Sequence, residues 1–267
     1  YACALQATGG IFGPLIPPSI AMVLYAVTAN QSVSTMLIAG AGPGLFMATL
    51  VIIYVIYSCH KRSFKGQGSF SLSKAWAAFK DAIWALLSPL IILGGIYGGI
   101  FTPTEAAAVS VVYGLFVGVF IYREVKWKDM GELLVDSGKT TGGIMLIIGS
   151  ATLFAYICTI HGISQAAQGL LLDIAGNKIV FLLIVNVIFL IAGCFVDANS
   201  AMYIFIPIMY PVAQQLGIDL VHFGVLSTVN LAIGQVTPPV GVNLFVAIGV
   251  ADKLQGLKDK TKVTIAS

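Results

Sequence analysis

The sequence predicts an all-α, polytopic membrane protein built on an inverted repeat, with Pro-Pro broken helices and a re-entrant hairpin. Three observations predict it. First, 58% of the 267 residues are hydrophobic, 9% are charged, and the mean hydropathy is +0.96. A soluble domain carries about 25% charged residues. Second, Gly234-Gln235-Val236-Thr237-Pro238-Pro239-Val240-Gly241 interrupts an apolar run, Val221 to Val250, of about the length that crosses a bilayer. Adjacent prolines lack two N–H groups and crowd the preceding turn, so the run splits into two half-helices. Third, the pattern recurs as Gly13-Pro14-Leu15-Ile16-Pro17-Pro18-Ser19, 221 residues earlier. Paired, proline-interrupted apolar segments in matching positions point to a secondary transporter made of repeats.

Other classes are disfavoured. The net charge of +3 is too small to suggest a nucleic-acid partner, and the cations lie in loops. Cys3, Cys59, Cys158 and Cys194 have no metal or redox spacing. His60, His161 and His222 are scattered near helix ends. An intramembrane enzyme would need a catalytic pair or set within the spans, and Asp197 stands alone there. The chain opens at Tyr1, and residues 1–59 hold no Asp, Glu, Lys or Arg. It reads as a fragment whose N-terminal part is missing, not as a signal peptide.

In chain order, Ala2–Ala29 is the first broken helix, within a segment 1–33. Ser34–Ser58 is a long apolar span softened by Gly42-Pro43-Gly44. It ends in His60, Lys61, Arg62 and Lys65, a basic loop that belongs in the cytoplasm. Ser71–Trp84 has Leu72, Trp76, Phe79 and Ile83 at helical spacing beside Lys74, Lys80 and Asp81, which predicts a separate amphipathic helix at the membrane surface. Leu86–Phe101 crosses outward, with Gly94, Gly95, Gly98 and Gly99 allowing close packing. Thr102-Pro103-Thr104-Glu105 opens the next helix, Thr102 as N-cap, Pro103 at N1 and Glu105 completing a capping box. Ala106–Tyr122 returns inward. Residues 123–139 form a second interfacial helix, Gly142–Ile160 crosses outward, and His161–Asn177 is a short amphipathic piece outside.

Two apolar arms, Ile179–Ala192 and Ala201–Val212, flank Gly193-Cys194-Phe195-Val196-Asp197-Ala198-Asn199-Ser200. Arms of about 12–14 residues are too short to span, so residues 178–216 read as a re-entrant hairpin. A second broken helix fills 218–250. The tail, 253–267, carries Lys253, Lys258, Lys260 and Lys262 and belongs in the cytoplasm. The first broken helix must therefore end outside and the second inside. Charge placement alone makes the repeat inverted.

Substrate and ion sites in such folds lie where the hairpin tip meets the break. Gly193, Gly234, Thr237 and Val240 offer backbone carbonyls and one hydroxyl there, a neutral oxygen shell suited to sodium. Gly13, Ile16 and Ser19, with a hairpin outside this sequence, would form a mirror ion site. Asp197, Asn199 and Ser200 at the tip are the candidate substrate contacts. Asp197 is either a functional ionisable group at membrane depth or the cap of the second arm. No Lys or Arg falls in a span, so an anionic substrate would be held by half-helix N-termini, hydroxyls or amides.

With those residues in view, the chain resembles the large membrane subunit of TRAP (tripartite ATP-independent periplasmic) transporters. The resemblance rests on residues 9–19, Gly40-Ala41-Gly42-Pro43-Gly44-Leu45, Phe101-Thr102-Pro103-Thr104-Glu105-Ala106, Pro207-Ile208 with Pro211, Gly217-Ile218-Asp219, His222-Phe223-Gly224-Val225 and residues 230–241. It implies import of a carboxylate-bearing solute, such as a C4-dicarboxylate or sialic acid, across the bacterial inner membrane. It implies sodium (Na+) as coupling ion, held at Gly193, Gly234, Thr237 and the backbone of Val240. It implies an elevator motion, with transport segments 1–33 and 142–252 moving against scaffold and arm segments 34–141. It implies a small membrane subunit, separate or fused, and a periplasmic binding protein that delivers the substrate. A stand-alone sodium-coupled dicarboxylate carrier is the alternative.

Overall fold

The structure, a computed structural model, describes residues 2–62 and 71–255. It is α-helical throughout, with no strand among the described residues. In order the helices are α1 (Ala2–Gly9), α2 (Phe12–Leu15), α3 (Ile20–Thr28), α4 (Val33–Lys61), α5 (Leu72–Tyr97) and α6 (Pro103–Phe116). They continue as α7 (Met130–Ile160), α8 (Ile163–Ala175), α9 (Lys178–Phe195), α10 (Ala198–Gln215), α11 (Leu220–Gly234) and α12 (Val242–Gln255). A π-helical turn, Val117–Ile121, extends α6. Six stretches among the described residues are long and apolar enough to cross a membrane: Cys3–Thr28, Val33–Lys61, Leu72–Tyr97, Pro103–Ile121, Trp127–Ile160 and Lys178–Phe195. The protein is an all-α polytopic membrane protein.

The chain divides into two compact units, Tyr1–Leu45 with Met145–Ser267, and Phe46–Ile144. In the first, α9 lies along α11, α10 packs on α3 and α8, α2 on α11, and α1 on α12. Its core is aromatic. Phe223 of α11 stacks on Phe181 (ring centroids 6.1 Å) and meets Phe189 (6.5 Å) and Tyr25 (6.3 Å). Phe181, Val185 and Phe189 recur every fourth residue of α9, and all three are fully buried, the stripe one helix face requires. In lipid the apolar surroundings offer no hydrophobic drive between helices, so close dispersion contact holds this core together. The exposed Val112, Leu146 and Phe245 are what a lipid-facing surface needs.

In the second unit α5 packs on α6. Tyr113 donates from its hydroxyl to the Trp84 carbonyl at 2.7 Å, and Tyr122 donates to that of Asp81. The helix start at Thr102 is as expected: Glu105 N–H donates to Thr102 Oγ1 (3.3 Å) and Thr102 N–H to Glu105 Oε2 (2.8 Å). Trp76 and Phe79 stack at 5.7 Å, with Lys80 Nζ 5.8 Å from the Trp76 ring.

Three expectations are corrected. Ser71–Trp84 and Leu86–Phe101 are not separate helices: α5 runs unbroken for 26 residues. Residues 130–139 of the second expected interfacial helix and Gly142–Ile160 likewise share one helix, α7, of 31 residues, while residues 123–129 precede it as loop and a 3-10 turn. A change from polar to apolar composition does not stop a helix; only a lost donor or a cap does. Pro89 inside α5 is accommodated, as prolines are in membrane helices. Finally, the two hairpin arms are longer than read, 18 residues each. The cations Lys65, Lys258, Lys260 and Lys262, and with them most of the basic tail, lie outside the described residues.

Candidate functional site: the hairpin arm at the second break

Two parallel helices build the site. At their starts, Lys178 Nζ on α9 donates to the Gly217 carbonyl just ahead of α11 (2.9 Å). At their ends, Gly193 meets Gly234. A Cβ on Gly193 would stand 2.7 Å from the Leu231 carbonyl oxygen and 3.0 Å from Gly234 Cα; one on Gly234 would stand 2.6 Å from Gly193 Cα. Backbone lies against backbone, and no side chain fits at either position.

Beyond this contact α11 stops. Thr237 N–H donates to the Gly234 carbonyl (2.9 Å), and Thr237 Oγ1 donates to that of Ile233 (2.8 Å). The chain then passes Pro238 and Pro239, joined by a cis peptide like Pro17 and Pro18. It turns at Gly241, whose φ of +54° favours glycine. Gly241 N–H donates to the Cys194 carbonyl at the end of the hairpin arm (3.0 Å), and Asn243 N–H to that of Gln235 (3.0 Å). A Cβ on Gly241 would lie 3.1 Å from the Thr237 oxygen and 3.4 Å from the Gln235 oxygen. Several carbonyl dipoles and one hydroxyl thus gather where α9 ends and α11 breaks, and all of these oxygens are neutral. Each carbonyl keeps a second lone pair, and Thr237 Oγ1, having donated its proton, keeps its own.

The expected residues Gly193, Gly234 and Thr237 are brought together, and Val240 sits in the same break, 38% exposed. Asp197, Asn199 and Ser200 form the first turn of the returning arm. Asp197 is the N-cap of α10: its Oδ2 accepts from the N–H groups of Asn199 and Ser200 (3.1 Å each), and Ser200 Oγ donates to Oδ1 (2.6 Å). Of the two roles open to Asp197, the geometry displays the capping one. Gly13, Ile16 and Ser19 share the first break. Ser19 caps α3 by accepting from Met22 N–H (3.3 Å), and its hydroxyl donates to the Pro14 carbonyl. Among the described residues no hairpin lies over this break.

The contrast between the two copies is sharp. A cavity of about 380 Å³ opens between α1, through Cys3, Gln6 and Ala7 with Gly10 just past its end, and α12, through Asn243, Val246, Ala247 and Val250. Shifted by the 221-residue repeat, these become Gly224, Ser227, Thr228 and Leu231, and Met22, Tyr25, Ala26 and Ala29. All eight of those are buried, in the unit whose core the α9–α10 hairpin supplies. The surface that a hairpin covers in one copy is an open groove in the other. At its wall the buried Asn243 Nδ2 finds no acceptor among the described residues.

Sequence reasoning missed three parts of this region: Gly241, the Tyr25 hydroxyl donating to Leu220 O near Gly224, and a polar pair, the half-buried Asn186 and the buried Asn230. A polar residue inside an apolar run was the available signal for the last.

A polytopic helical protein with a repeated, interrupted crossing and a hairpin seated on one interruption defines the class of secondary transporters. The family model for the "Tripartite ATP-independent periplasmic transporter, DctM component" matches residues 1–266, and the chain belongs to that family, one of transporter permeases and not of enzymes. It is 40% identical over 250 residues to the C4-dicarboxylate TRAP transporter large permease protein DctM of Pseudomonas aeruginosa, covering 94% of this chain and 58% of that protein. The isethionate TRAP transporter permease protein DctMQ of Oleidesulfovibrio alaskensis is 41% identical over 253 residues, 94% of this chain and 40% of that protein. The sialic acid TRAP transporter large permease protein SiaM of Vibrio cholerae is 37% identical over 252 residues, 94% and 59% respectively. The chain therefore spans less than two thirds of the length of these relatives. Family and spans together make it a multi-pass bacterial membrane protein.

Proposed function

We propose that this chain is the membrane permease part of a sodium-gradient-driven importer of a carboxylate-bearing solute in the bacterial inner membrane. The observation that carries the proposal is the seat of the hairpin arm on the second break, where neutral oxygens from two elements converge. The residues fit a sodium ion. The carbonyls of Gly193, Gly234, Thr237 and Val240 and the Thr237 hydroxyl would hold it, and the ion would supply the coupling to the gradient. A bound cation at the junction ties the hairpin to the break, so binding favours a closed tip. With the Asp197 carboxylate engaged by its own helix turn and the Ser200 hydroxyl donated to it, the Asn199 side chain and the N-terminal end of α12 are left to meet an anionic substrate, and Ser200 would join them by turning its hydroxyl from Asp197 to the anion.

The relatives are named for C4-dicarboxylate, isethionate and sialic acid. A carboxylate such as the first or last is the substrate class proposed here, delivered by a periplasmic binding protein. The permease would work with a small membrane subunit, its unit Tyr1–Leu45 with Met145–Ser267 moving as the elevator and Phe46–Ile144 serving as scaffold. The groove on α1 and α12 would be covered by a hairpin from outside these residues, completing the mirror ion site at Gly13, Ile16 and Ser19.

The test is uptake of labelled succinate and sialic acid into proteoliposomes holding the full-length membrane subunits, with and without a sodium gradient and the cognate binding protein. Uptake that needs both is expected. Sodium-driven uptake without the binding protein would replace this reading with a stand-alone carrier, and transport indifferent to sodium would overturn the ion assignment.

A further inference from the structure

The arm that carries Gly193 has one polar side chain in its apolar middle, Asn186, and the helix that carries Gly234 has Asn230. They meet: Asn230 Nδ2 donates to Asn186 Oδ1 at 2.7 Å. The remaining donors turn back onto their own helices, Asn186 Nδ2 to the Leu182 carbonyl (2.6 Å) and Asn230 Nδ2 to that of Leu226 (2.8 Å). Asn230 is 5% exposed. The hydrogen bonds of the two side chains run to each other and to carbonyls of their own helices, and none runs to a charged group among the described residues. Each sits at a fixed helical distance from the carbonyl cluster at the break. Asn186 precedes Gly193 by seven residues, and Asn230 precedes Gly234 by four and Thr237 by seven. Seven residues are two turns of helix, about 10.5 Å along one face.

From these observations we infer that Asn186 and Asn230 are positioning residues that set the register of the hairpin arm against the broken helix, and so hold the Gly193–Gly234 contact in place. The apolar seam does not set that register by itself. Phe181, Val185 and Phe189 repeat every four residues, so a slide by one turn would again bring apolar groups to apolar groups. The same slide would part Asn186 from Asn230 and, with each Nδ2 still held by its own helix, leave the Asn186 Oδ1 acceptor without its donor in an apolar seam, which is costly. A single polar pair fixing the register of two parallel helices is a known use of buried asparagine. Here the register matters because backbone touches backbone two turns further along α9 and one turn further along α11. A shift of one residue moves the arm about 1.5 Å and turns it about 100°. That separates Gly193 from Gly234 and the Cys194 carbonyl from the Gly241 N–H.

The inference rests on the proposed role of the break, and its test has one readout that does not. In the full-length subunits, Asn186→Leu, Asn230→Leu and the double leucine variant are compared with the unaltered protein. Hydrogen exchange in a peptide covering residues 236–243 reports the Gly241 N–H bond to the hairpin arm, with no reference to transport. Uptake against sodium concentration reports the ion site. Each single variant should exchange faster there by about tenfold, since local opening governs exchange. Each should need roughly fivefold more sodium for half-maximal uptake with the substrate KM little changed. The double variant restores an apolar, self-matching seam. Its melting temperature should return to that of the unaltered protein, while the exchange and the sodium requirement stay shifted. Recovery of all three in the double variant would reduce the pair to an ordinary packing contact and overturn the inference, as would unchanged exchange in the single variants. Faster exchange in variants of a protein whose uptake ignores sodium would uphold the register role and defeat only the sodium reading.

Discussion

Thr237 and Asp197 show what single residues contribute at this junction. Asp197 is the one acid the sequence places at membrane depth, and its oxygens are spent on two backbone N–H groups and the Ser200 hydroxyl. Its cost of burial is met by the turn it caps. Thr237 is the reverse case. Its hydroxyl donates back to the Ile233 carbonyl in the last turn of α11 at 2.8 Å, so its lone pairs face outward from that bond. Removing that oxygen should weaken a neutral cation shell by one ligand without adding or removing charge. Thr237→Val should therefore raise the sodium needed for half-maximal uptake by about tenfold, the equivalent of about 1.4 kcal/mol, and Thr237→Ser should keep the unaltered value. Uptake measured across a sodium series decides it, and equal curves for all three proteins would remove Thr237 from the ion site. At this scale the candidate residues were legible because glycine, threonine and proline carry their chemistry in their spacing. Gly241 was not, because its role comes from a positive φ and a bond to Cys194, a partner 47 residues away.

Among elements, the broken helix is the one whose interruption the sequence forces. Pro238 and Pro239 remove two donors, and α11 ends at Gly234 with α12 starting at Val242. The seven residues between them are where the Gln235 and Thr237 carbonyls turn toward Gly241. Replacing both prolines with alanine returns the donors and lets the helix propagate, which would withdraw those carbonyls into its ladder. Pro238→Ala with Pro239→Ala should abolish uptake while the protein still inserts and purifies as the unaltered one does. Normal uptake by that variant would show that the break is dispensable. Helix existence and the two breaks were legible from apolar runs and paired prolines. Helix ends were less so. Trp84 and Leu86 lie within one continuous α5, because a surface stripe that gives way to an apolar run leaves every N–H with its partner. The hairpin arms were read short for the opposite reason: Gly193 and Cys194 look like loop, and Asn199 and Ser200 look polar, yet all four are helical. Pro207 and Pro211 likewise stay inside α10.

For the whole molecule the informative fact is an asymmetry. The repeat matches Cys3, Gln6, Ala7 and Gly10 with four buried residues of α11, and the α12 side of the groove with three buried residues of α3 and Ala29 at its C-cap. A sequence offset of 221 residues could be read without coordinates; which of its two copies is covered could not, because coverage depends on tertiary contacts. The open copy also holds the buried Asn243 Nδ2 without an acceptor among the described residues, pressed against Gly10 so closely that a Cβ there would lie 2.7 Å from it. A buried donor left unpaired costs about 1–3 kcal/mol, and a hairpin end laid over the groove would offer backbone carbonyls to it, as Cys194 does to Gly241 in the other copy. The two faces of α12 make this testable in the full-length protein. Phe245 is 68% exposed and faces away from the groove lining, whereas Ala247 lines it. If a hairpin covers α1 and α12, a cysteine at Phe245→Cys should react with a bilayer-soluble maleimide and one at Ala247→Cys should be shielded, slower by about tenfold or more, in proportion to how seldom the cover opens. Equal labelling at both positions would mean that the groove stays open in the complete permease, and the repeat would then be symmetric in its breaks but not in what covers them.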